Sequence, residues 1–108
     1  GQRLPNIDVV DRNNEIMVRS EVPGIDMKDL NISLNDNLLT IKGQSRSESK
    51  QEDGDYHRHE ISTASFARSF TLPGTVDSAK AVASLKDGVL EIALPKAESS
   101  KKRNIAVK

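Results

Sequence analysis

Apolar residues recur at every second position over most of the chain, which is the period of a β-strand with one buried face. Residues 15–22 are the clearest case, because one face carries Ile16, Val18, Ser20 and Val22. The strands predicted in this way lie at residues 7–10, 15–22, 30–35, 39–41, 66–72, 81–85 and 90–94.

Short turns separate these strands. Residues 36–37 and 86–88 are turn sequences that each join two strands into a hairpin. Brief helical turns are predicted at residues 26–29 and 77–80, where an aspartate can cap exposed amides. Several short antiparallel strands without a long helix predict an all-β fold, an antiparallel immunoglobulin-like β-sandwich of about seven strands.

Two segments interrupt the alternation. Residues 47–59, SESKQEDGDYHRH, are polar, acidic and long for a hairpin loop, and loops of this length are usually functional or disordered. The basic tail carries Ile105 and Val107 at strand spacing, which suits docking on a sheet edge or groove. We therefore expect a sandwich domain at residues 1–96 and a flexible C-terminal extension at residues 97–108.

Composition excludes several classes of protein. The chain has 108 residues, enough for one domain. Sixteen basic and sixteen acidic residues cancel, so a nucleic-acid partner is not expected. There is no cysteine, and apolar runs never exceed three residues, which excludes disulfides, a membrane span and a signal-peptide core. We expect a soluble cytoplasmic protein without a membrane partner.

Catalytic motifs are absent from the sequence. It has no phosphate loop, dinucleotide fingerprint or nucleophile elbow, so neither an enzyme nor a cofactor is expected. His57 and His59 would share a face of an extended segment, with Asp55 and Glu60 close by, and such a set can bind zinc. The favoured interpretation is that they bind no metal, and a metal-dependent enzyme is the weaker alternative.

Arg68 is the most informative single residue. It lies on the apolar face of its predicted strand, between Phe66 and Phe70. A guanidinium is kept there only if it reaches water or is paired. Two interpretations stay open: Arg68 extends to solvent at the end of a sheet, or it pairs with an acid across a subunit interface. Glu60 or an acid in residues 52–55 could supply that charge.

Four sequence segments occur in the order found in a known family. They are EVPG at residues 21–24, LTIKG at 39–43, FARSFTLP at 66–73, and ASLKDGVL at 83–90 followed by LPK at 94–96. Together they resemble the α-crystallin domain of small heat-shock proteins, and the likeness covers residues 4–107. Residues 105–107 resemble the family's C-terminal I-x-I/V element, and the long loop resembles the bacterial and plant type.

The resemblance implies a stress-response chaperone. Its members are ATP-independent holdases, which bind partly unfolded client proteins and prevent their aggregation. The alternative is a CS-like cochaperone or protein-binding adaptor. Such an adaptor would be a monomer and would need neither the long loop nor the tail element.

The resemblance also implies a homodimer. In the bacterial and plant type the long loop carries a swapped strand that pairs with the partner's sheet, here at about residues 55–58. Arg68 falls on the family's interface arginine. The dimer interface implied in this way contains Asp55, Tyr56, His57, Arg58, Glu60 and Arg68.

A groove between edge strands is the second implied site. In the family, the C-terminal element fills it and links dimers into higher oligomers. Carried over to this chain, Ile105 and Val107 are the docking element. The groove would be lined by Leu30, Ile32, Leu34, Ala81, Ala83 and Leu85.

The beginning of the chain departs from the family pattern. Family members carry a variable hydrophobic arm ahead of the domain, whereas this chain begins at Gly1 close to its first strand. We therefore expect a shortened form. Dimers or small tail-linked clusters are expected in place of a full shell, with reduced holdase activity.

Overall fold

Seven β-strands make up most of the part of the chain that the structure describes. The structure, a computed structural model, describes residues 6–54, 56–101 and 105–107, with the backbone alone considered at 46–53, 56–60 and 62. In these residues there is no α-helix, and 3-10 turns lie at Met27–Asp29, Ser78–Lys80 and Glu98–Ser100. The strands are β1 (Ile7–Asp11), β2 (Glu15–Glu21), β3 (Leu30–Asn35), β4 (Leu38–Asp53), β5 (Tyr56–Thr71), β6 (Val82–Lys86) and β7 (Val89–Pro95).

The strands form two antiparallel sheets, in the orders β1-β2-β7-β6 and β3-β4-β5. The predicted all-β sandwich of seven strands is confirmed. Strands β1 and β6 are the edges of one sheet, and β3 and β5 are the edges of the other. Each edge strand has one side on which its backbone pairs with no strand of the described chain, so it can accept another strand there.

The core lies between the two sheets and follows the alternation in the sequence. On β2 and just beyond it, Ile16, Val18, Ser20 and Val22 are all buried, as predicted. Ser20 is the polar residue on this buried face, and its hydroxyl donates a hydrogen bond to the carbonyl oxygen of Asn6 at 2.9 Å. The buried apolar residues are Ile16, Val18, Val22, Leu39, Ile41, Leu72, Val76, Leu90, Ile92 and Leu94.

The turn chemistry explains how the strands connect. Asp87 and Gly88 have φ values of 51° and 77°, which is the pattern of a type I′ turn between β6 and β7. The Asp77 side chain accepts a hydrogen bond from the N–H of Ala79 at 3.2 Å, which caps the predicted helical turn. Asp26 makes no such bond, so the predicted side-chain cap is found at one turn and not at the other.

Residues 47–59, predicted as a long loop, lie mostly in two paired strands. β4 and β5 pair continuously, from Leu38 opposite Thr71 to Asp53 opposite Tyr56. β3 pairs with β4 only as far as Gly43. Residues 44–54 and 56–65 therefore continue as a two-stranded hairpin, which we call the hairpin arm.

The hairpin arm extends the molecule, whose dimensions are 87 × 23 × 22 Å. The sequence pattern missed these strand segments because the arm extends past the part of the sheet that covers the core. Apolar alternation reports burial and not backbone pairing. The predicted swapped strand at residues 55–58 falls at the start of β5, except that residue 55 lies outside the described residues. Its pairing with a second chain stays a prediction.

Candidate docking groove and dimer surface

The two edge strands of the predicted groove lie on the same side of the sandwich. A cleft next to Leu34, on β3, is also lined by Thr75, Val76 and Ser78. These three residues belong to the segment that leads into β6. Because β1 and β5 line another cleft together, the strand orders place β3 opposite β6. The cleft at Leu34 therefore lies at one end of the space between these two edges, which we call the β3–β6 seam.

Most of the predicted groove residues are half-buried. Five of them pack against the core with part of their surface exposed, namely Leu30, Ile32, Leu34, Ala81 and Leu85. Ala83 lies opposite the buried Ile92 in the strand register, yet it is exposed. The seam is thus apolar along both edges and open to solvent, and its use as a docking groove stays a prediction.

Gly43 lies on the central strand of its sheet, β4, and no role for it was predicted from the sequence. It lies between Leu30 and Phe66 in the strand register. A Cβ at this position would lie 2.6 Å from Cε1 of Phe66 and 3.2 Å from Cδ2 of Leu30. The missing side chain lets the Phe66 ring lie across β4. A glycine inside a strand is the sequence signal that points to such close contact.

The predicted docking element is accessible. Ile105 and Val107 are 89% and 96% exposed, although both are large apolar side chains. The positions between residue 101 and Ile105 lie outside the described residues. In the described chain, therefore, the element does not occupy the β3–β6 seam.

The beginning of the predicted extension is bound to the sandwich. The N–H of Ala97 donates to the carbonyl oxygen of Thr75 at 3.0 Å. The N–H of Thr75 donates to Oγ of Ser100 at 2.7 Å. Sequence reasoning did not single out Ser100, because a serine in a polar linker carries no signal until the fold brings its partner close.

Arg68 lies at the opposite side of the sandwich. Its half-buried side chain lies on the same inner face of β5 as Phe66 and Phe70, as predicted. Asp8 and Glu21 line the same cleft and bring two carboxylates to it. The cleft is lined by Asn6, Ile7, Asp8, Arg19, Ser20, Glu21, Arg68 and Val89. Arg68 thus lies where the edge strands β1 and β5 face each other.

The side chains of the other predicted interface residues lie outside the described part of the chain. Asp55 lies outside the described residues, and so do the side chains of Tyr56, His57, Arg58 and Glu60. The backbone of residues 56–60 belongs to β5, in the hairpin arm. The assignment of these residues to a dimer interface stays a prediction.

Neither a metal site nor a membrane span is seen in the described part of the chain. No group of three His, Cys, Asp or Glu side chains there is arranged to hold a metal ion. The side chains of His57 and His59 lie outside that part. Within the same residues, no helix is long and apolar enough to cross a membrane.

Comparisons with known proteins agree with the fold. The sequence profile of the Hsp20/alpha crystallin family matches residues 8–108. Small heat shock protein C2 of Rickettsia felis is 35% identical over 105 residues, which cover 97% of this chain and 68% of that protein.

Solved structures give the same result. Heat shock protein 16.0 from Schizosaccharomyces pombe superposes with a TM-score of 0.77 at 31% identity, covering 99% of this chain and 100% of that one. A small heat-shock protein from Xylella fastidiosa, described as having a distinct high order structure, gives 0.68 at 29% identity over 100% and 99% of the two chains. The chain spans 62% to 68% of the length of three curated relatives that it matches.

Proposed function

The chain belongs to the Hsp20/alpha crystallin family, and from that membership we propose that it is an ATP-independent holdase. It binds partly unfolded proteins and prevents their aggregation. The observation that carries the proposal is the open apolar β3–β6 seam, together with a fully accessible docking element at Ile105 and Val107.

The seam has the properties that an unfolded client requires. An extended segment can add to an open strand edge through backbone hydrogen bonds, while its alternate side chains enter apolar positions. Leu34 and Leu85 offer such positions on the two edges, since both are half-buried. The free energy of binding comes from covering apolar surface, so the proposed mechanism needs neither a nucleotide nor a cofactor.

The tail element regulates access to the seam in this proposal. Ile105 and Val107 have the spacing of alternate residues on an extended strand, as a client segment does. Because the element is tethered, its local concentration at a groove within reach is high, on the order of millimolar for a short flexible linker. It therefore competes with clients, and it links chains when it docks on a neighbour.

The hairpin arm is the proposed dimerisation element. Beyond Gly43 it has no third strand, so the outer edge of each of its strands is unpaired in the described chain. Edge strand β1 (Ile7–Asp11) of a second copy offers a matching unpaired edge. We assign Arg68 and the acids near it to this interface. The protein then acts in the cytoplasm as a homodimer and, through its tail, as a larger assembly, without nucleic acid or membrane partners.

A matched pair of variants tests the holdase proposal. Ala83→Arg places a bulky charge on an exposed position of the seam, whereas Ser84→Arg places the same charge on the neighbouring exposed residue. Ser84 lies opposite Glu91, so its variant is electrostatically compatible. The measurement is light scattering by a client held at its unfolding temperature without ATP, at equal chaperone and client concentrations.

We expect the unmodified chain and Ser84→Arg to suppress scattering, and Ala83→Arg to lose at least half of the suppression. Equal suppression by the two variants would contradict the role of the seam. A strict monomer that suppresses nothing would instead favour a CS-like adaptor, an alternative that the family match does not favour.

A further inference from the structure

The chain after β7 stays attached to the sandwich for several residues. Lys96 pairs with Val76 in an isolated β-bridge. Ala97 donates its N–H to the carbonyl oxygen of Thr75 at 3.0 Å. Thr75 in turn donates its own N–H to Oγ of Ser100 at 2.7 Å. Both backbone polar groups of Thr75 are therefore used to hold the beginning of the extension.

The local shape favours this attachment. A Cβ added at Gly74 would lie 3.4 Å from Cβ of Ser100, so Ser100 lies within van der Waals range of this position. The 3-10 turn at Glu98–Ser100 directs the hydroxyl back toward Thr75. The ammonium group of Lys101 donates to Oε1 of Glu98 at 2.7 Å, across the same turn.

We propose that the hydrogen bond between Thr75 and Ser100 is a latch that sets how far the Ile105–Val107 element can reach. The proposal rests on the docking function proposed above and adds its regulation. With the latch closed, the last described attachment of the tail to the sandwich is at Ser100. With the latch open, it is at Ala97, which keeps its own bond to Thr75.

The difference in reach is substantial. Five residues from Ser100 to Ile105 span at most roughly 17 Å when fully extended. Eight residues from Ala97 to Ile105 span at most roughly 27 Å. Opening the latch, together with unwinding of the 3-10 turn that it holds, therefore raises the maximum reach of Ile105 from its last attachment by more than half.

The latch lies beside the chain's own groove, so a longer reach changes which groove the tail element can enter. Thr75 and Leu34 line one cleft, so the tether starts at one end of the β3–β6 seam. With the latch closed, Ile105 and Val107 face solvent and are available to a second copy of the chain. A longer tether lets the element turn back into its own seam, which removes it from contacts between chains.

Amide exchange tests whether the latch exists. Ser100→Ala removes the acceptor of the Thr75 N–H, and Ser99→Ala is the matched control because Ser99 is the exposed serine beside it. We expect hydrogen exchange at the Thr75 amide, followed by NMR, to become at least tenfold faster in Ser100→Ala and to stay unchanged in Ser99→Ala. Equal exchange rates in the two variants would overturn the proposal.

A distance measurement tests the reach without assuming that the tail docks. The chain has no cysteine, so Ala106→Cys and Lys86→Cys can carry a pair of spin labels. Pulsed electron paramagnetic resonance, on labelled chains diluted with unlabelled ones, reports distances within one chain. Ser100→Ala should widen the distance distribution or shift it, and an unchanged distribution relative to Ser99→Ala would overturn the proposed reach.

Assembly size then separates this inference from the proposed function. If the tail links chains, Ile105→Ala with Val107→Ala abolishes assemblies larger than the dimer, and Ser100→Ala lowers their mass fraction at least twofold. If the double variant keeps its larger assemblies, the proposed docking function is wrong. The amide-exchange and spin-label distance measurements then still test the latch. If the double variant loses its larger assemblies but Ser100→Ala keeps them, the docking function stands and the latch proposal is overturned.

Discussion

Gly43 is a position where the sheet has no room for a side chain. A Cβ there would lie 2.6 Å from the Phe66 ring, closer than carbon atoms approach without something shifting. We expect Gly43→Ala to lower the free energy of unfolding by about 1–3 kcal/mol, the usual cost of overpacking a well-filled core. Urea unfolding followed by circular dichroism measures it.

The control for this substitution is Gly74→Ala, whose Cβ would meet its nearest neighbour at an ordinary 3.4 Å. Combining Gly43→Ala with Phe66→Leu should recover part of the lost stability, because the smaller leucine side chain leaves room for the added Cβ. A Gly43→Ala protein that unfolds at the urea concentration of the unmodified chain would contradict the predicted contact.

Arg68 offers a test of the proposed interface. It lies half-buried in the cleft between β1 and β5, which Asp8 and Glu21 also line. Hydrogen bonds to charged groups contribute about 1.5–3 kcal/mol, so we expect Arg68→Ala to raise the dimer dissociation constant by about tenfold or more. Arg68→Lys should restore part of the affinity, since it keeps the charge but not the planar donor fork.

A dilution series followed by light scattering measures this constant. If both the dissociation constant and the melting temperature of Arg68→Ala match those of the unmodified chain, Arg68 does not stabilise the interface. The interface would then have to rest on the backbone pairing of the hairpin arm.

The β6–β7 hairpin depends on its two-residue turn, and β6 forms one edge of the proposed groove. Gly88 has a φ of 77°, a conformation that costs residues with a side chain about 1–2 kcal/mol. Gly88→Ala should therefore lower stability by about that amount. Gly88→Asn should cost less, because asparagine tolerates this conformation. Thermal unfolding of both variants measures the difference, and equal losses would show that φ is not the cause.

The sequence predicted strands accurately where one face of the strand covers the core. In β2, Ile16 and Val18 are buried and alternate with Glu15, Met17 and Arg19, which are half-buried or exposed, as the pattern predicted. The same criterion failed in the hairpin arm, because its strands extend past the core and no apolar period marks them. The strands of the arm are held by backbone hydrogen bonds, and the pattern of apolar side chains does not indicate such pairing.

The residues of the candidate site also differ in whether the sequence could predict them. Ile105 and Val107 were predicted because an apolar pair in a polar tail is unusual in itself, and their exposure is now observed. Ser100 could not be predicted, because its role depends on Thr75, which is 25 residues away in the sequence. Contacts set by the fold are visible only after the strands have been placed.

The shape of the whole molecule is unusual for a chain of this length. The radius of gyration of its Cα atoms is 19.4 Å, whereas a compact chain of the same length has about 13 Å. The excess reflects the hairpin arm, since β3 ends its pairing at Gly43 while β4 and β5 continue. Long unpaired strand edges favour association with other chains unless they are covered. From these open edges we expect the chain to pair with a second copy.

Stability should consequently depend on protein concentration. If two chains cover each other's edges, association stabilises the folded state by mass action, and a tenfold dilution should lower the melting temperature by about 3 °C. Small-angle scattering on the same dilution series would report the loss of the dimer directly. A melting temperature that stays constant over a hundredfold dilution, with monomer mass throughout, would show that the isolated chain tolerates the arm's open edges. Dimerisation would then lack its structural reason, and client binding would have to be explained by the β3–β6 seam of a single chain.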